Sequence, residues 1–287
     1  MKGAIVTGAN GFMGHHLVQT LIDNDYKVYA VIRSEESEVS CIDQLPNVKL
    51  VYCDMKNWDS LPEKIDGAQI EYVYHLAWAG SSGDLRKNYE LQMENVLSTC
   101  KLIEAMKRMQ IKRLLVAGSV TQLMYRDYLT EDQISPEMVT CYAIGKISAE
   151  YLCKCLCTEY GIDLCWTYIS NFYGADDTTN NFINFLIRSY TRGEVPSLTS
   201  AEQFADFAYV TDIARALMYA CEKGKKNTAY YVGSVSYTHL DVYKRQIFTS
   251  FPNDAFNRNI ESDGSDTCEL CINESVWNIH DCFIDLR

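Results

Sequence analysis

Proline, glycine and long apolar runs are scarce in this chain of 287 residues. It contains only 5 prolines and 15 glycines, which excludes collagen-like, low-complexity and largely disordered chains. No apolar run approaches the ~20 residues that a membrane-spanning helix needs. Hydrophobic residues make up 47% and charged residues 22% of the chain, an ordinary balance for a globular protein. We therefore expect no membrane partner.

Basic residues are also few. The chain has 26 lysines and arginines against 38 aspartates and glutamates, a net charge of −12. A general nucleic-acid binder needs a basic face, so nucleic acid is not an expected partner. The 12 cysteines would suggest a disulfide scaffold only in a shorter chain behind a signal peptide, and no cleavage-site pattern follows Met1. The expectation is a cytoplasmic protein with reduced thiols.

Short apolar strand patterns alternate with helical patterns over the first 170 residues. Strand patterns cover residues 3–7, 28–32, 48–52, 70–76, 112–117 and 163–169, and helical patterns cover residues 12–24, 85–109 and 142–160. This alternation predicts an α/β fold, a doubly wound parallel sheet of the Rossmann type. Residues 1–170 are the predicted dinucleotide-binding domain. Residues 171–233 are the predicted substrate lobe, smaller and interleaved with the last elements of that domain.

A glycine-rich loop follows the first strand pattern and opens the first helical pattern. In that context Gly8 permits a tight turn, Gly11 lets the backbone approach a pyrophosphate, and Gly14 lets the helix pack close to the strand. The helix N-terminus offers free N–H groups to the phosphates. The residues predicted to contact a dinucleotide here are Gly8, Asn10, Gly11, Phe12, Met13 and Gly14.

The second strand pattern bears on the choice of dinucleotide. An acidic residue at its end would bind the ribose 2′-hydroxyl of NAD, whereas an arginine can receive the 2′-phosphate of NADP. The strand ends at Arg33 without an acid at its tip, so NADP is the preferred cofactor and NAD the alternative. Asp54, after the third strand pattern, is predicted to meet the adenine amino group, and a turn role is its other interpretation.

Tyr142 and Lys146 lie one helical turn apart on the same face. A free phenol has a pKa of about 10, and a nearby ammonium lowers it. The tyrosine can then exchange a proton with a substrate hydroxyl while a hydride moves to or from a nicotinamide. Ser119, after the 112–117 strand pattern, is the predicted hydroxyl that polarises the reacting carbonyl. Thr121 is the reserve for that role and a predicted substrate contact.

These motifs resemble the extended short-chain dehydrogenase/reductase family, in its branch of NAD-dependent epimerases and dehydratases that act on nucleotide sugars. The resemblance covers roughly residues 1–233 and rests also on residues 75–80, 171–174 and 206–212. It implies that Ala77, Trp78 and Asn95 belong to the cofactor site and that Asn171 meets a nucleotide-sugar substrate. It also implies a homodimer, formed by packing the helices at 85–109 and 142–160 into a four-helix bundle.

Departures from the family pattern narrow the reaction. Val120 and Thr121 stand where the family's sugar dehydratases carry adjacent acids. Neither can act as acid or base in eliminating water, so dehydration is disfavoured and a 4-epimerase or 4-ketoreductase remains. Ala205 stands where the family often has an arginine for the substrate phosphates, and Arg188 or Arg192 is the expected substitute.

Residues 234–287 show no regular period and are rich in Asp, Ser, Asn and Cys. Residues 234–246 look like a translated assembly junction, which predicts an unrelated reading frame in the tail and an incomplete substrate lobe. A divergent natural C-terminus is the alternative. Cys268, Cys271, His280 and Cys282 superficially suggest zinc ligands, but their second pair is too close and no metal site is predicted.

Two rival interpretations stay open. One is a dinucleotide-binding regulatory protein without turnover, and the other is an inactive truncated fusion of such an enzyme. The joint presence of Ser119, Tyr142 and Lys146 disfavours the first, because a protein that only binds the dinucleotide has no need of them.

Overall fold

The computed structural model describes residues 1–65, 67–131, 134–179, 181–198, 205–234 and 283–285. Its centre is an eight-stranded sheet. In spatial order the strands are β3 (Val48–Tyr52), β2 (Tyr26–Ile32), β1 (Lys2–Thr7), β4 (Tyr72–His75), β5 (Arg113–Ala117), β6 (Asp163–Ile169), β9 (Thr228–Val232) and β10 (Phe283–Asp285). Only β10 runs antiparallel to its neighbour. The strand order reverses between β1 and β4, where a sheet of this kind opens a ligand crevice at its carboxyl edge.

Helices cover both faces of the sheet, which confirms the predicted doubly wound α/β fold. Helices α1 (Phe12–Asp23) and α7 (Val210–Lys223) pack on one face, and α3 (Tyr89–Arg108) and α5 (Thr140–Tyr160) pack on the other. Strand β1 has apolar side chains on both sides: Ala4 and Val6 join the first core and Ile5 joins the second. Burial on both faces explains why the strands are almost continuously apolar.

A smaller unit lies at the carboxyl edge of the main sheet. Strand β7 (Asn171–Tyr173) follows β6 almost directly and pairs in parallel with β8 (Phe207–Tyr209). Helix α6 (Phe182–Thr191) packs on it through a small apolar cluster that contains Ile183 and Phe207. This unit falls within the segment predicted as the substrate lobe, and α7 and β9 return from it to the main sheet.

The helix predicted at residues 85–109 is two elements. A 3-10 helix covers Gly83–Lys87, and α3 starts after Asn88, whose side chain accepts a hydrogen bond from the Leu91 N–H. Asn88 therefore caps α3 and interrupts the helix. The apolar side chains of α3 do not all face the core: Val96 and Ile103 are buried, whereas Met93 and Leu97 are 39% and 62% exposed.

The sequence patterns missed two short helices near the crevice. Helix α2 (Leu61–Lys64) follows a 3-10 helix at Met55–Ser60, and α4 (Val120–Tyr128) starts directly after Ser119. Helix α4 packs against α5 and β6.

Within the tail, Ser234 and the backbone of β10, paired with β9, belong to the described residues. Residues 235–246 of the junction-like string lie outside them, as do Cys268, Cys271, His280 and Cys282. Among the helices of the described part of the chain, none combines the length and the apolar character needed to span a bilayer.

Candidate active site

The glycine-rich loop leaves bare backbone at the start of α1. Gly11 precedes the helix in an extended conformation and has no side chain to cap it, so the first-turn N–H groups remain available to an anion. Gly8 has a φ of +68°, and a Cβ there would lie 3.0 Å from the Ala77 nitrogen. A Cβ on Gly14 would lie 2.0 Å from the Gly8 carbonyl oxygen. Only glycine fits these two positions, and the resulting cradle suits the diphosphate of a dinucleotide.

A cavity of about 720 Å³ borders this loop, a size typical of small-molecule sites. It brings together most of the residues predicted for cofactor, substrate and catalysis. Those that line it are Gly8, Asn10, Gly11, Phe12, Met13, Gly14, Arg33, Ala77, Trp78, Ser119, Thr121, Tyr142, Lys146 and Asn171. Asp54, Asn95 and Arg188 are not among the described residues that line it.

A buried hydrogen-bond chain holds the floor of the cavity. Thr7 Oγ1 accepts from the Ala77 N–H at 3.2 Å and lies 2.8 Å from His75 Nδ1, while His75 Nε2 lies 3.1 Å from Thr99 Oγ1. The Thr99 hydroxyl donates to the Asn95 carbonyl, so it accepts from Nε2–H, and Nδ1 accepts from Thr7. Burial lowers the pKa of His75 to about 3, and the charge of Lys146 adds to this. His75 is therefore neutral, with its hydrogen on Nε2.

Asn95 supports the cofactor site from behind. Its Oδ1 accepts from the Ala79 N–H and its Nδ2 donates to the Ala79 carbonyl, both at 2.8 Å, and the residue is 1% exposed. Both polar atoms of this amide therefore bind the backbone of the loop after β4. In this structure Asn95 orients the loop that carries Ala77 and Trp78, and its predicted place in the cofactor site stays a prediction.

Two other predicted contacts serve their own loops in this structure. The Asp54 carboxylate accepts from the Lys56 N–H at 2.8 Å and caps the following 3-10 helix, in agreement with its turn interpretation. Arg188 donates from Nη2 to the Thr178 and Thr179 carbonyls, each at 3.3 Å, on the outer side of α6. Nearby backbone groups therefore engage both side chains in this structure.

Ser119, Tyr142 and Lys146 meet at the carboxyl edge of β5. Tyr142 and Lys146 share the inner face of α5 and are 6% and 4% exposed. The Ser119 hydroxyl donates to Thr121 Oγ1 at 3.1 Å, and its N–H donates to Gln122 Oε1 at 2.8 Å. The start of α4 thus orients the serine toward the same cavity as the tyrosine.

Arg86, which no sequence pattern singled out, is the cation that acts on the Tyr142 phenol. Its guanidinium carbon lies 4.1 Å from the centre of the Tyr142 ring. Burial raises the pKa of Tyr142, while a hydrogen bond with the Ser119 side chain and the charge of Arg86 oppose that rise. We expected Lys146 to lower this pKa. In the structure the net direction is upward, and the opposing charge comes from Arg86 on the 3-10 helix before α3.

The Lys146 ammonium contacts a backbone carbonyl and an indole ring in this structure. It donates to the Ala117 carbonyl at 2.6 Å and lies 3.8 Å from the centre of the Trp78 ring. Burial lowers the pKa of Lys146 to about 7, because the desolvated ammonium has no carboxylate beside it among the described residues. With this pKa, both the charged and the neutral form of Lys146 are populated near pH 7.

One group of potential metal ligands occurs among the described residues, although no metal site was predicted. Ligand atoms of His15, His16 and Asp176 lie within 4.8 Å of one another. His15 Nδ1 is 3.1 Å from the Gly11 carbonyl, and His16 Nε2 is 3.1 Å from the Ala175 carbonyl. The His16 contact joins the first turns of α1 to the loop after β7.

Comparison with known proteins decides the family. The sequence model of the NAD dependent epimerase/dehydratase family matches residues 4–233. This chain belongs to that family. The catalytic cluster and the glycine-rich loop described above both fall within the matched segment.

Individual relatives span two reaction classes. A protein of Methanocaldococcus jannaschii named "Putative UDP-glucose 4-epimerase" is 28% identical over 257 residues, covering 85% of this chain and 82% of the relative. The human dTDP-D-glucose 4,6-dehydratase is 25% identical over 246 residues, covering 81% of this chain and 69% of the relative. The solved UDP-glucuronic acid 4-epimerase of Bacillus cereus in complex with NAD has a TM-score of 0.69 at 19% identity, covering 86% of this chain and 84% of that one. The structural likeness concerns the fold alone.

The depressed pKa of Lys146 predicts a pH-dependent stability. Between about pH 7 and the ordinary lysine pKa of 10.5, the unfolded chain holds a proton on this residue that the folded chain has lost. Stability from this group therefore rises with pH in that window, by at most ~1.4 kcal/mol per pH unit. We expect Lys146→Met to remove that rise, measured as the difference from wild type in urea unfolding at pH 7, 8 and 9 without cofactor. Parallel curves for the two proteins would contradict the prediction, and Lys101→Met, at an exposed position on α3, is the matched control.

Proposed function

We propose that this protein is an NAD(P)-dependent oxidoreductase acting on a nucleotide-linked sugar, as a 4-epimerase or a 4-ketoreductase. One observation carries the proposal: Ser119, Tyr142 and Lys146 line the same cavity as the dinucleotide loop. The relatives named for epimerases and dehydratases of nucleotide sugars support the substrate class. Val120 and Thr121 offer no acid or base after the catalytic serine, and this disfavours dehydration.

Tyr142, Ser119 and Lys146 each have a separate role in the proposed reaction. A bound nicotinamide supplies or accepts the hydride. Tyr142 is the general acid/base: its phenol, protonated in the free protein, donates to a ketone oxygen, and its phenolate takes the proton of a hydroxyl in reverse. Ser119 orients the same oxygen through its hydroxyl. Lys146, once charged, holds the nicotinamide ribose and favours the phenolate.

The small unit of β7, β8 and α6 is the proposed substrate lobe. Asn171 lines the cavity and donates from Nδ2 to the Asp206 carbonyl at 3.2 Å, which ties the two lobe strands together. Thr121 lines the opposite part of the cavity beside Ser119. Asn171 and Thr121 are the proposed substrate contacts, and Arg188 acts indirectly by holding the 178–179 carbonyls.

The first test is removal of the phenol hydroxyl. Tyr142→Phe should lower turnover about 10²- to 10⁴-fold, because the proton loses its positioned donor, and leave dinucleotide binding nearly unchanged. Turnover is followed in two assays: deuterium transfer from labelled NADH or NADPH to a nucleotide-linked 4-keto sugar, and interconversion of C4 epimers of a nucleotide sugar in the presence of NAD or NADP. Tyr151→Phe, at an exposed position on the same helix, is the matched control. Full turnover by Tyr142→Phe in either assay would contradict the assignment, and dinucleotide binding by wild type without turnover in either assay would favour the non-catalytic regulatory protein.

We propose NADP as the preferred cofactor and NAD as the alternative. Arg33 is exposed at the end of β2 and lines the cavity, with no acid at the strand tip. Against this preference, the similar solved epimerase of Bacillus cereus is in complex with NAD. The preference thus depends on Arg33 alone.

Fluorescence titration with NADPH and NADH tests this choice. We expect NADPH to bind more tightly, and Arg33→Gln to weaken NADPH about 10-fold or more while NADH changes little, because only NADPH carries the 2′-phosphate. Lys27→Gln, near the other end of β2, is the control. Equal binding, or tighter NADH binding, to wild type would overturn the NADP preference.

We also propose a homodimer through a four-helix bundle of α3 and α5. Each helix leaves an apolar stripe uncovered: Tyr89, Met93 and Leu97 on α3 recur every four residues. On α5, Ile144, Tyr151 and Leu152 are 38%, 52% and 44% exposed. Contiguous exposed apolar surface of this kind favours a symmetric interface.

Sedimentation of variants tests the dimer. Wild type should sediment as a dimer, and Leu97→Glu should shift it to monomer, because a desolvated carboxylate at each half of the interface is costly. Val195→Glu introduces the same charge at a 76% exposed position in the lobe segment and should leave the dimer intact. A monomeric wild type, or a dimeric Leu97→Glu variant, would contradict this assembly.

A further inference from the structure

Arg86 is a cation in the wall of the catalytic cavity. It belongs to the 3-10 helix Gly83–Lys87 and is half-buried. Its guanidinium stacks on the Tyr142 ring, with Cζ 4.1 Å from the ring centre, and its Nη2 donates to Thr121 Oγ1 at 3.2 Å. The same Thr121 oxygen accepts from Ser119 at 3.1 Å, so one threonine joins the arginine to the catalytic serine.

This cation has no counter-charge within the described part of the chain. No carboxylate there lies within ion-pairing distance of Arg86, and Nε is buried without a hydrogen-bond partner. Asp84, the nearest acid in sequence, pairs with Lys87 at 2.8 Å. Asp177, the one acid among the described residues that line the cavity, accepts from Thr179 N and Asn181 Nδ2. A guanidinium offers five donors, and leaving it half-buried and unpaired is unfavourable.

The position of Arg86 indicates which anion it receives. It lies against Tyr142 and one hydrogen bond from Ser119, where the reacting carbon of the substrate has to sit. In a sugar oxidised and reduced at C4, the nucleotide diphosphate is attached across the ring at C1. An anion within reach of Arg86 is therefore a substituent on a carbon next to C4. A carboxylate at C5 fits, because the planar fork of arginine matches a carboxylate with two parallel hydrogen bonds.

We propose that Arg86 receives a sugar carboxylate and that the substrate is a nucleotide-linked uronic acid. This inference rests on the proposed function and specifies its substrate class. Arg86 is then a specificity-determining residue, and the substrate anion neutralises the cation that faces Tyr142. A neutral sugar would leave the guanidinium unpaired in the closed site, and discrimination against it follows from that cost.

A matched ligand pair tests the proposal on the full chain loaded with dinucleotide. Titration calorimetry with UDP, dTDP, GDP and CDP first selects the nucleotide that binds most tightly. Glucuronic acid and glucose carried on that nucleotide then differ only in a carboxylate against a hydroxymethyl group. We expect wild type to bind the glucuronic acid derivative at least about 10-fold more tightly, and Arg86→Gln to reduce this ratio to about 1. Arg86→Lys should recover part of the ratio, because it restores the charge without the fork.

The controls separate the outcomes. Lys87→Gln removes a neighbouring exposed cation and should keep the wild-type ratio. Equal affinity of wild type for the two sugars overturns the proposal, and so does an equal loss of affinity for the free nucleotide in Arg86→Gln, which would assign the diphosphate as the anion. Absence of binding to any nucleotide, together with absence of both deuterium transfer to a 4-keto sugar and C4 epimerisation, would instead contradict the proposed function itself, in a protein whose NAD(P)H titration shows that it folds.

Discussion

The neutral, fully buried imidazole of His75 is the contact on which the candidate site depends. It joins the end of β1, through Thr7, to α3, through Thr99 and the Asn95 carbonyl. The Thr7 hydroxyl also accepts a hydrogen bond from the Ala77 N–H. Ala77 lies in the loop after β4, against which Gly8 packs closely. Because the His75 ring is neutral, this buried hydrogen-bond chain places no charge behind the crevice at the switch point of the sheet.

The close approach of α3 and α5 is the second constraint. A Cβ on Gly145 would lie 3.2 Å from Cβ of Gln92, so only a small residue at that turn of α5 lets the helices meet at this distance. Gln92 in turn accepts from Trp78 Nε1 at 2.8 Å and fixes the indole beside Tyr142 and under the Lys146 ammonium. Packing between two helices thereby determines where the phenol and the ammonium point. The same pair of helices leaves its other face apolar and uncovered.

Local sequence patterns predicted the parts of the site that depend on local physics. Continuous apolar strands, a glycine-rich turn and a Tyr–Lys pair one helical turn apart require only backbone geometry to interpret. The glycine-rich turn and the Tyr–Lys pair both line the cavity. The contacts of single polar side chains do not follow from local patterns, because such a side chain takes whichever partner folding brings near. Asn95 bonds the Ala79 backbone, Asp54 caps its own turn, and Arg188 holds the carbonyls of Thr178 and Thr179.

The sequence by itself determined the order of strands and helices, the bare backbone at Gly8 and Gly14, and the spacing of Tyr142 and Lys146, since each follows from local periodicity and steric limits. Only the tertiary structure decided the charges around the phenol. It brought Arg86 from a separate 3-10 turn onto the Tyr142 ring and directed Lys146 toward Trp78 and the Ala117 carbonyl. Burial and long-range neighbours set a pKa, and neither is encoded in the residues adjacent to a motif.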